Sequence, residues 1–341
     1  MAKTTIAIDA MGGDNAPKAV IMGLERSFVR HPEVHFIIFG DEAKITPLVE
    51  KRRELNSICS IINVKDWIKD DEKASKVIKR SKTTSMGKAI ECVASGNADA
   101  IVSGGNSGAL MALSIFGLKR ISGINRPAMA AVMPTKLGEV VALDLGANIE
   151  CSPQNLLEFS LLGVVFSQKV LGKLQPRLGL LNVGEEENKG KQIIHQAADF
   201  ILNSQFSSFF KGYVEGNRVI SGDYDVIVCD GFSGNVMLKT AEGTADLCTY
   251  FMKEVLSSNI FGKLAYLFGR TSFAVLKDKL DPRKHNGAVL LGLNGIVVKS
   301  HGSTDSLGFA HAVDLAIDMA EGDYNSSISE EIEKLKIQVN N

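Results

Sequence analysis

A three-layer α/β/α sandwich, doubly wound around a mostly parallel sheet, is predicted by three features of these 341 residues. Short β-branched runs alternate with helix-like segments of roughly 10–15 residues, the mark of βαβ units. The runs are almost continuously apolar, as strands covered by helices on both faces must be. Most of them end in a glycine-rich turn that opens directly into the next helix.

Taken in order, residues 5–9 (TIAID) lead into AMGGDNAP and a helical pattern from about Lys18. Residues 100–103 (AIVS) lead into GGNSG and then ALMALSIFGLKR. Residues 140–144 (VVALD) lead into LGANIECSP and a long helix. Residues 178–183 (LGLLNV) lead into GEEENKGK and IIHQAADFIL. Residues 225–229 (DVIVC) lead into DGFSGN, and residues 296–300 (IVVKS) into HGSTDSLG. Further strands are expected at 34–39, 58–64, 128–133 and 210–214, and a solvated last helix at 329–339 (EEIEKLK). Right-handed crossovers would put the C-terminal ends of parallel strands on one edge, where open α/β sheets bind ligands. The expectation is therefore six turns opening onto one side of a single domain spanning 1–341, with no internal repeat or low-complexity linker.

One stretch departs from this rhythm. After Leu247 the chain is helix-prone and apolar, with Lys253, Lys263, Arg270, Lys277 and Lys279 interspersed and breaks expected at residues 257–259, Gly262 and Gly269. It reads as a helical hairpin near 248–280 projecting from the sheet. Such a hairpin serves either as a dimerisation or core helix pair, or as a membrane-surface contact, because apolar faces flanked by basic residues suit lipid headgroups.

Composition narrows the classes. Hydrophobic residues make up 45% and charged residues 23%, enough for a large core, and the formal net charge of −1 offers no global attraction to nucleic acid. Asp9 interrupts the first apolar run, so no signal peptide is read there. Nor does any stretch reach the roughly 18–20 apolar residues of a membrane span. A cytoplasmic protein is expected. The five cysteines are scattered without a CxxC pair, against a zinc ribbon or a disulfide framework. There is no GxxxxGK[ST] loop, no GxGxxG spacing in DAMGGDNAP and no GxSxG elbow.

The turns carry the candidate chemistry. In the first and second, Gly12, Gly13, Asp14, Gly104, Gly105, Asn106, Ser107 and Gly108 combine free backbone with a helix start, a setting for an anion. Asn106 or Ser107 would cap the helix. Asn148 lies in the third turn and Gly234 in the fifth. Asp230 can orient a donor or bind a substrate hydroxyl, and Asn235 can donate to an oxyanion; an Asx turn with a capping Asn235 is the plainer account. Glu185, Glu186 and Glu187 suit a helix N-terminus, whereas Lys189 beside them can hold a phosphate as a point charge. His301 at a strand end can act as acid or base, Ser303 is a candidate to bind phosphate or substrate, and Ser303, Thr304 and Asp305 all suit a helix cap. His195 reads as structural, and His285 stands close enough in sequence to the crevice to approach it. Cys151 and Cys229 border the turns, where an acyl-cysteine is conceivable but a small buried hydrophobe is the usual role.

Together IAIDAMGGDNAPKAVI, SGGNSGALMA, RPAMAAVMPT, LDLGANIECSPQNLLEF, LGLLNVGEEENKG, DVIVCDGFSGNVMLKTAEG and NGAVLLGLNGIVVKSHGSTD resemble the blocks of bacterial phosphate acyltransferases, from Ile6 to about Asp305. The resemblance implies an isocitrate dehydrogenase- and phosphotransacetylase-like fold, a homodimer, and no metal or organic cofactor. It implies transfer of a fatty acyl group from acyl carrier protein to inorganic phosphate. The acyl phosphate would pass to a membrane glycerol-3-phosphate acyltransferase, and the hairpin would rest peripherally on the inner face of the cytoplasmic membrane. The family's proposed activity residues fall on Lys189, Asp230 and Asn235. Gly104 and Ser107 stand where alanine and threonine are commoner, and His285-Asn286-Gly287-Ala288 replaces a more usual Tyr-Gly-Gly-Ala. An enzyme acting on acyl-coenzyme A and a non-catalytic phosphate-binding scaffold are the alternatives.

Overall fold

A computed structural model describes residues 4–72, 74–279, 281–322 and 324–339. Its strands are β1 (Thr5–Asp9), β2 (His35–Gly40), β3 (Cys59–Asn63), β4 (Ala100–Ser103), β5 (Ala128–Thr135), β6 (Gly138–Leu143), β7 (Leu178–Leu181), β8 (Phe210–Val214), β9 (Val226–Val228), β10 (Ala288–Leu291) and β11 (Ile296–Lys299). They form one sheet in the order β3-β2-β1-β4-β11-β10-β5-β6-β9-β7-β8.

Both faces are covered. Ile6 and Ile8 of β1 join one core with the helices Lys18–Arg30, Pro153–Lys169 and Ser306–Glu321. Ala7, between them, joins a second core with the helices Ser85–Ala94 and Ser107–Leu118. The period of two in a pleated strand produces this division. On the second face β6 sends Val140 and Ala142 against Met237, Leu238 and Ala241 of the helix Gly231–Ser257.

The sheet departs from the expectation of one functional edge. β3, β2, β1, β4 and β11 are mutually parallel, but β10 is antiparallel to β11 and to β5, and β5 is antiparallel to β6. β6, β9, β7 and β8 are again parallel to one another. The second parallel block therefore runs opposite to the first, and its turns leave the other edge of the sheet. The cause is local. Only Lys136 and Leu137 separate β5 from β6, a length that closes a hairpin but cannot make a parallel crossover.

Two helical expectations also change. The last helix begins at Tyr324, and its first turns are core rather than solvated: Tyr324, Ile328 and Ile332 are buried. The Tyr324 hydroxyl donates to the Leu162 carbonyl at 3.3 Å and its ring meets Phe166 edge-on at 5.9 Å. The apolar excursion grows from the 27-residue helix Gly231–Ser257 and continues as Ile260–Phe268 and Arg270–Lys279. Asn259 caps the second piece through the Gly262 amide at 2.8 Å, and Gly269 ends it; Gly262 itself does not interrupt the helix. Among the described residues no helix is long and apolar enough to cross a membrane.

Candidate active site

The turns after β1, β4 and β11 pack against one another around a buried carboxylate. Asp9 ends β1 and accepts from the hydroxyls of Ser85 and Ser103, each at 2.7 Å. Ser103 in turn accepts from the Gly105 amide at 3.1 Å. Burial pushes the Asp9 carboxyl up, against these hydrogen bonds and the Lys299 charge. A Cβ on Gly12 would lie 2.5 Å from the Gly105 nitrogen, so the first two turns meet backbone to backbone. Gly13 has a φ of 100°, a conformation that glycine adopts without steric cost, and Asp14 donates from its amide to the Gly302 carbonyl at 2.9 Å.

Lys299, at the end of β11, is only 9% exposed. Its ammonium donates to the carbonyls of Gly104 (3.2 Å) and Ser300. Burial pushes it down to about 8, with Lys239 pushing the same way and Asp70, Asp9 and Asp14 opposing. His301 follows; partial burial and the Lys239 charge hold its imidazole below the usual range. Its Nδ1 lies 3.0 Å from the Ser303 hydroxyl. Asn286 fixes this turn, accepting from the His301 amide at 3.0 Å and donating to the Ser300 hydroxyl at 2.9 Å. Asn106 caps its helix through the Ala109 amide at 2.9 Å and donates to the Asp70 carbonyl at 2.6 Å, so it is a pin for the turn.

On the other edge the turns after β6 and β9 meet at Asp144, and the turn after β7 lines the cavity beside Asp230. This carboxylate accepts from the amides of Met129 (2.8 Å), Ala147 (3.1 Å) and Asn148 (2.6 Å) and from the Asn148 side chain (2.9 Å). Burial raises it against those donors. The second Asn148 amide hydrogen goes to the Pro127 carbonyl at 2.8 Å, so both hydrogens are used within the protein. Asp230 caps the helix Gly231–Ser257 by accepting from the Ser233 amide at 2.7 Å. The capping role falls to Asp230, not to Asn235, which is exposed beside Gly146. Lys189 is exposed and ion-paired with Glu186 at 2.7 Å, and the helix that follows has no acidic residue in its first turn. The expected converging cradle of six turns with Lys189 is thus replaced by two clusters, and Lys189 stands in the turn after β7 with Glu186 as its partner.

Beside Asp230 a cavity of about 1000 Å³ opens, walled by Leu156, Leu181, Ile194 and Phe232 and edged by Arg126 and Lys191. Cys151 and Cys229 line it. Burial and Asp144 push the Cys151 thiol up to about 11 and raise Cys229 well above its ordinary value, which disfavours a thiolate nucleophile at either. His195 lies 2.9 Å from the Tyr213 hydroxyl and is structural; the side chain of His285 lies outside the described residues.

One helix joins the clusters. Gly231 and Gly234 seat the start of Gly231–Ser257 on the β6 turn, the Gly231 amide donating to the Asn148 carbonyl at 2.7 Å. Lys239, further along, acts electrostatically on Lys299 and His301 of the first cluster. Asn235 and Lys239 are four residues apart and share a helix face.

Comparison with known proteins places this architecture. The model of a fatty acid synthesis protein family matches residues 4–327. A phosphate acyltransferase of Granulibacter bethesdensis is 47% identical over 330 residues, covering 97% of this chain and 89% of the relative. That of Paramagnetospirillum magneticum is 45% identical over 335 residues, covering 98% and 95%. The chain belongs to the phosphate acyltransferase family. A phosphotransacetylase from Streptococcus pyogenes has the same fold, with a TM-score of 0.62 over 94% of this chain and 95% of its own at 15% identity.

Sequence reasoning missed Lys299, Asp9 and Asn286. The signal for Lys299 was present: a lysine at the end of IVVKS, a run otherwise fit only for burial.

Proposed function

We propose that the chain transfers a fatty acyl group from acyl carrier protein to inorganic phosphate, giving an acyl phosphate for phospholipid synthesis. The observation that carries this reading, beyond family membership, is the apolar cavity that opens at Asp230. Its volume and the walls of Leu156, Leu181, Ile194 and Phe232 suit a long alkyl chain, and its charged rim carries both signs, Arg126 and Lys191 beside Glu150 and Asp230.

Phosphate is already largely dianionic near neutral pH and needs little help from a general base. The harder tasks are to strip it of water, aim it at the thioester carbonyl and stabilise the tetrahedral oxyanion. Asn235 is exposed, beside Gly146, and serves as the oxyanion donor in this reading. Asp230 keeps one oxygen free of the cap and orients the reacting group. Lys189, the cation that the resemblance points to, is ion-paired with Glu186 at 2.7 Å. His301, held neutral, can donate to a leaving thiolate only after binding a proton, and the weak basicity of a thiolate makes that step optional.

The same reading makes the protein a homodimer that delivers its product to a membrane glycerol-3-phosphate acyltransferase. The excursion supports contact with the cytoplasmic face of the membrane: Phe261 and Phe268 are 78% and 83% exposed, with Lys263 and Arg270 beside them.

The test supplies long-chain acyl carrier protein, or the matching acyl-coenzyme A, with labelled phosphate. Acyl phosphate from the carrier donor is expected. Product from coenzyme A alone would move the enzyme to the phosphotransacetylase reaction, and phosphate binding without product would make it a scaffold. Asn235→Ala is expected to lower kcat by about 100-fold, the usual cost of an oxyanion donor, with the circular dichroism spectrum unchanged.

A further inference from the structure

We infer that Lys299 forms the cationic subsite for the phosphate nucleophile, on the turns after β1, β4 and β11; the assignment rests on the acyl-transfer reading above. Lys299 is nine-tenths buried, yet among the described residues it has no carboxylate within ion-pair distance. Its ammonium has three hydrogens and makes two hydrogen bonds, both to carbonyls. A buried cation with a donor to spare and no counter-ion is costly unless an anion completes it. The nearby carboxylates do not supply one. Asp9 is tied to Ser85 and Ser103, while Asp14 and Asp70 are exposed.

The surroundings suit a small tetrahedral dianion. The backbone amides of Gly12, Gly13, Gly104 and Gly302 donate to no acceptor among the described residues. The turns meet backbone to backbone, leaving hydrogen-bond donors without bulky side chains over them. Lys239 adds a second positive charge, felt at both Lys299 and His301 and partly offset by Glu242, its ion-pair partner at 2.7 Å. Asn235 stands four residues before Lys239 on the same helix, about 6 Å along its axis.

The experiment varies phosphate and acyl carrier protein independently at pH 7 and adds calorimetric titration with inorganic phosphate. Lys239 is exposed, so Lys239→Met leaves the core untouched. It should raise KM for phosphate about tenfold while KM for the acyl carrier protein stays within about twofold, as expected for one lost charge near the ligand. Glu242→Gln should shift phosphate affinity the other way, by about threefold. Lys299→Met should abolish measurable phosphate binding; if that variant does not fold, the two helix variants still decide. Unchanged phosphate affinity in folded Lys239→Met and Glu242→Gln would overturn the subsite. So would a rise in KM for the acyl carrier protein alone, which would assign the positive charge to the carrier or its phosphodiester. A wild-type protein that forms no acyl phosphate would remove the acyl-transfer reading, whereas the calorimetric arm would still judge the anion site by itself.

Discussion

Asp9 and Asp144 hold corresponding stations on opposite edges of the sheet. Each is buried at a strand end and gathers donors from the turn beyond it, and burial raises both. The partners differ. Asp144 is surrounded by amides: three from the backbone and one from Asn148. Asp9 is held chiefly by two hydroxyls and has an ammonium, Lys299, acting on it. The first arrangement consumes its donors internally and seats a helix. The second leaves a buried ammonium and, among the described residues, the amides of Gly12, Gly13, Gly104 and Gly302 without an acceptor. Similar glycine-rich motifs thus produce a scaffold on one edge and an anion setting on the other.

The largest effect that can test this contrast is steric. A Cβ on Gly234 would fall 1.9 Å from the Asp144 carbonyl oxygen and 2.9 Å from the Cys229 sulfur, whereas a Cβ on Gly302 meets nothing nearer than 3.6 Å. The Asp144 oxygen is backbone and cannot swing aside. Gly234→Ala should cost about 3 kcal/mol or more, and Gly302→Ala less than about 0.5 kcal/mol, both read by urea unfolding. Equal losses would mean that Gly302 is as closely packed as Gly234 and that the Gly234 contact with Asp144 is not what seats the start of the helix.

The sequence makes most of the strands legible and hides how they are oriented. Apolar runs with turn residues at their ends locate β1 and β4 to the residue, because those segments are buried on both faces and punctuated by glycine or charge; β8 matches as well, although as an edge strand it buries only Val214. β10 was invisible as a strand. Its four residues, AVLL, lie between glycines and carry no alternation. Without it, and with the β5–β6 hairpin read as two independent strands, nothing signalled the reversal that separates the clusters. Caps were half legible. Asn106 and Asp305 cap as their residue types suggest, but the cap of Gly231–Ser257 falls to Asp230 rather than Asn235 because the helix begins one residue after Asp230. Lys299 was overlooked because a lysine at a strand end ordinarily reaches solvent; the packing of three turns over it, which no local pattern encodes, is what buries it.

A second test turns on pH. Burial takes Lys299 from its ordinary 10.5 down to about 8, with Lys239 acting in the same direction and Asp9, Asp14 and Asp70 against it. Because the folded value lies below the unfolded one, this group's contribution to stability is full above about 10.5 and is lost as pH falls through about 8. Bound phosphate should reverse that loss by favouring the charged amine. In the wild type, kcat/KM for phosphate should hold level between pH 7 and 7.5 and then fall up to tenfold per unit above pH 8. Phosphate should raise the Tm at pH 7 more than at pH 9. A profile flat to pH 9.5 would free Lys299 from any role in phosphate capture and erase the electrostatic difference between the two edges.

The smallest expected effect concerns the helix that joins them. In Gly231–Ser257 the fully buried residues are Gly231 and Gly234, with Met237, Leu238 and Ala241 packed on the sheet, and Leu247, Tyr250, Phe251 and Val255 are half exposed or more. The helix is therefore anchored on the sheet through its first three turns, and at its far end it packs against the helix Ile260–Phe268. Gly243 stands at that boundary, exposed, and a Cβ there would meet nothing within 4 Å. Gly243→Ala should gain about 0.8–1.0 kcal/mol of helix propensity. Because the gain falls outside the anchored turns, it should slow amide hydrogen exchange of residues 244–257 about fivefold while moving the global unfolding midpoint hardly at all. A rise in the global midpoint instead would show that the projecting half unfolds together with the sheet. The bridge between the two edges would then extend along the whole helix rather than ending near Ala241.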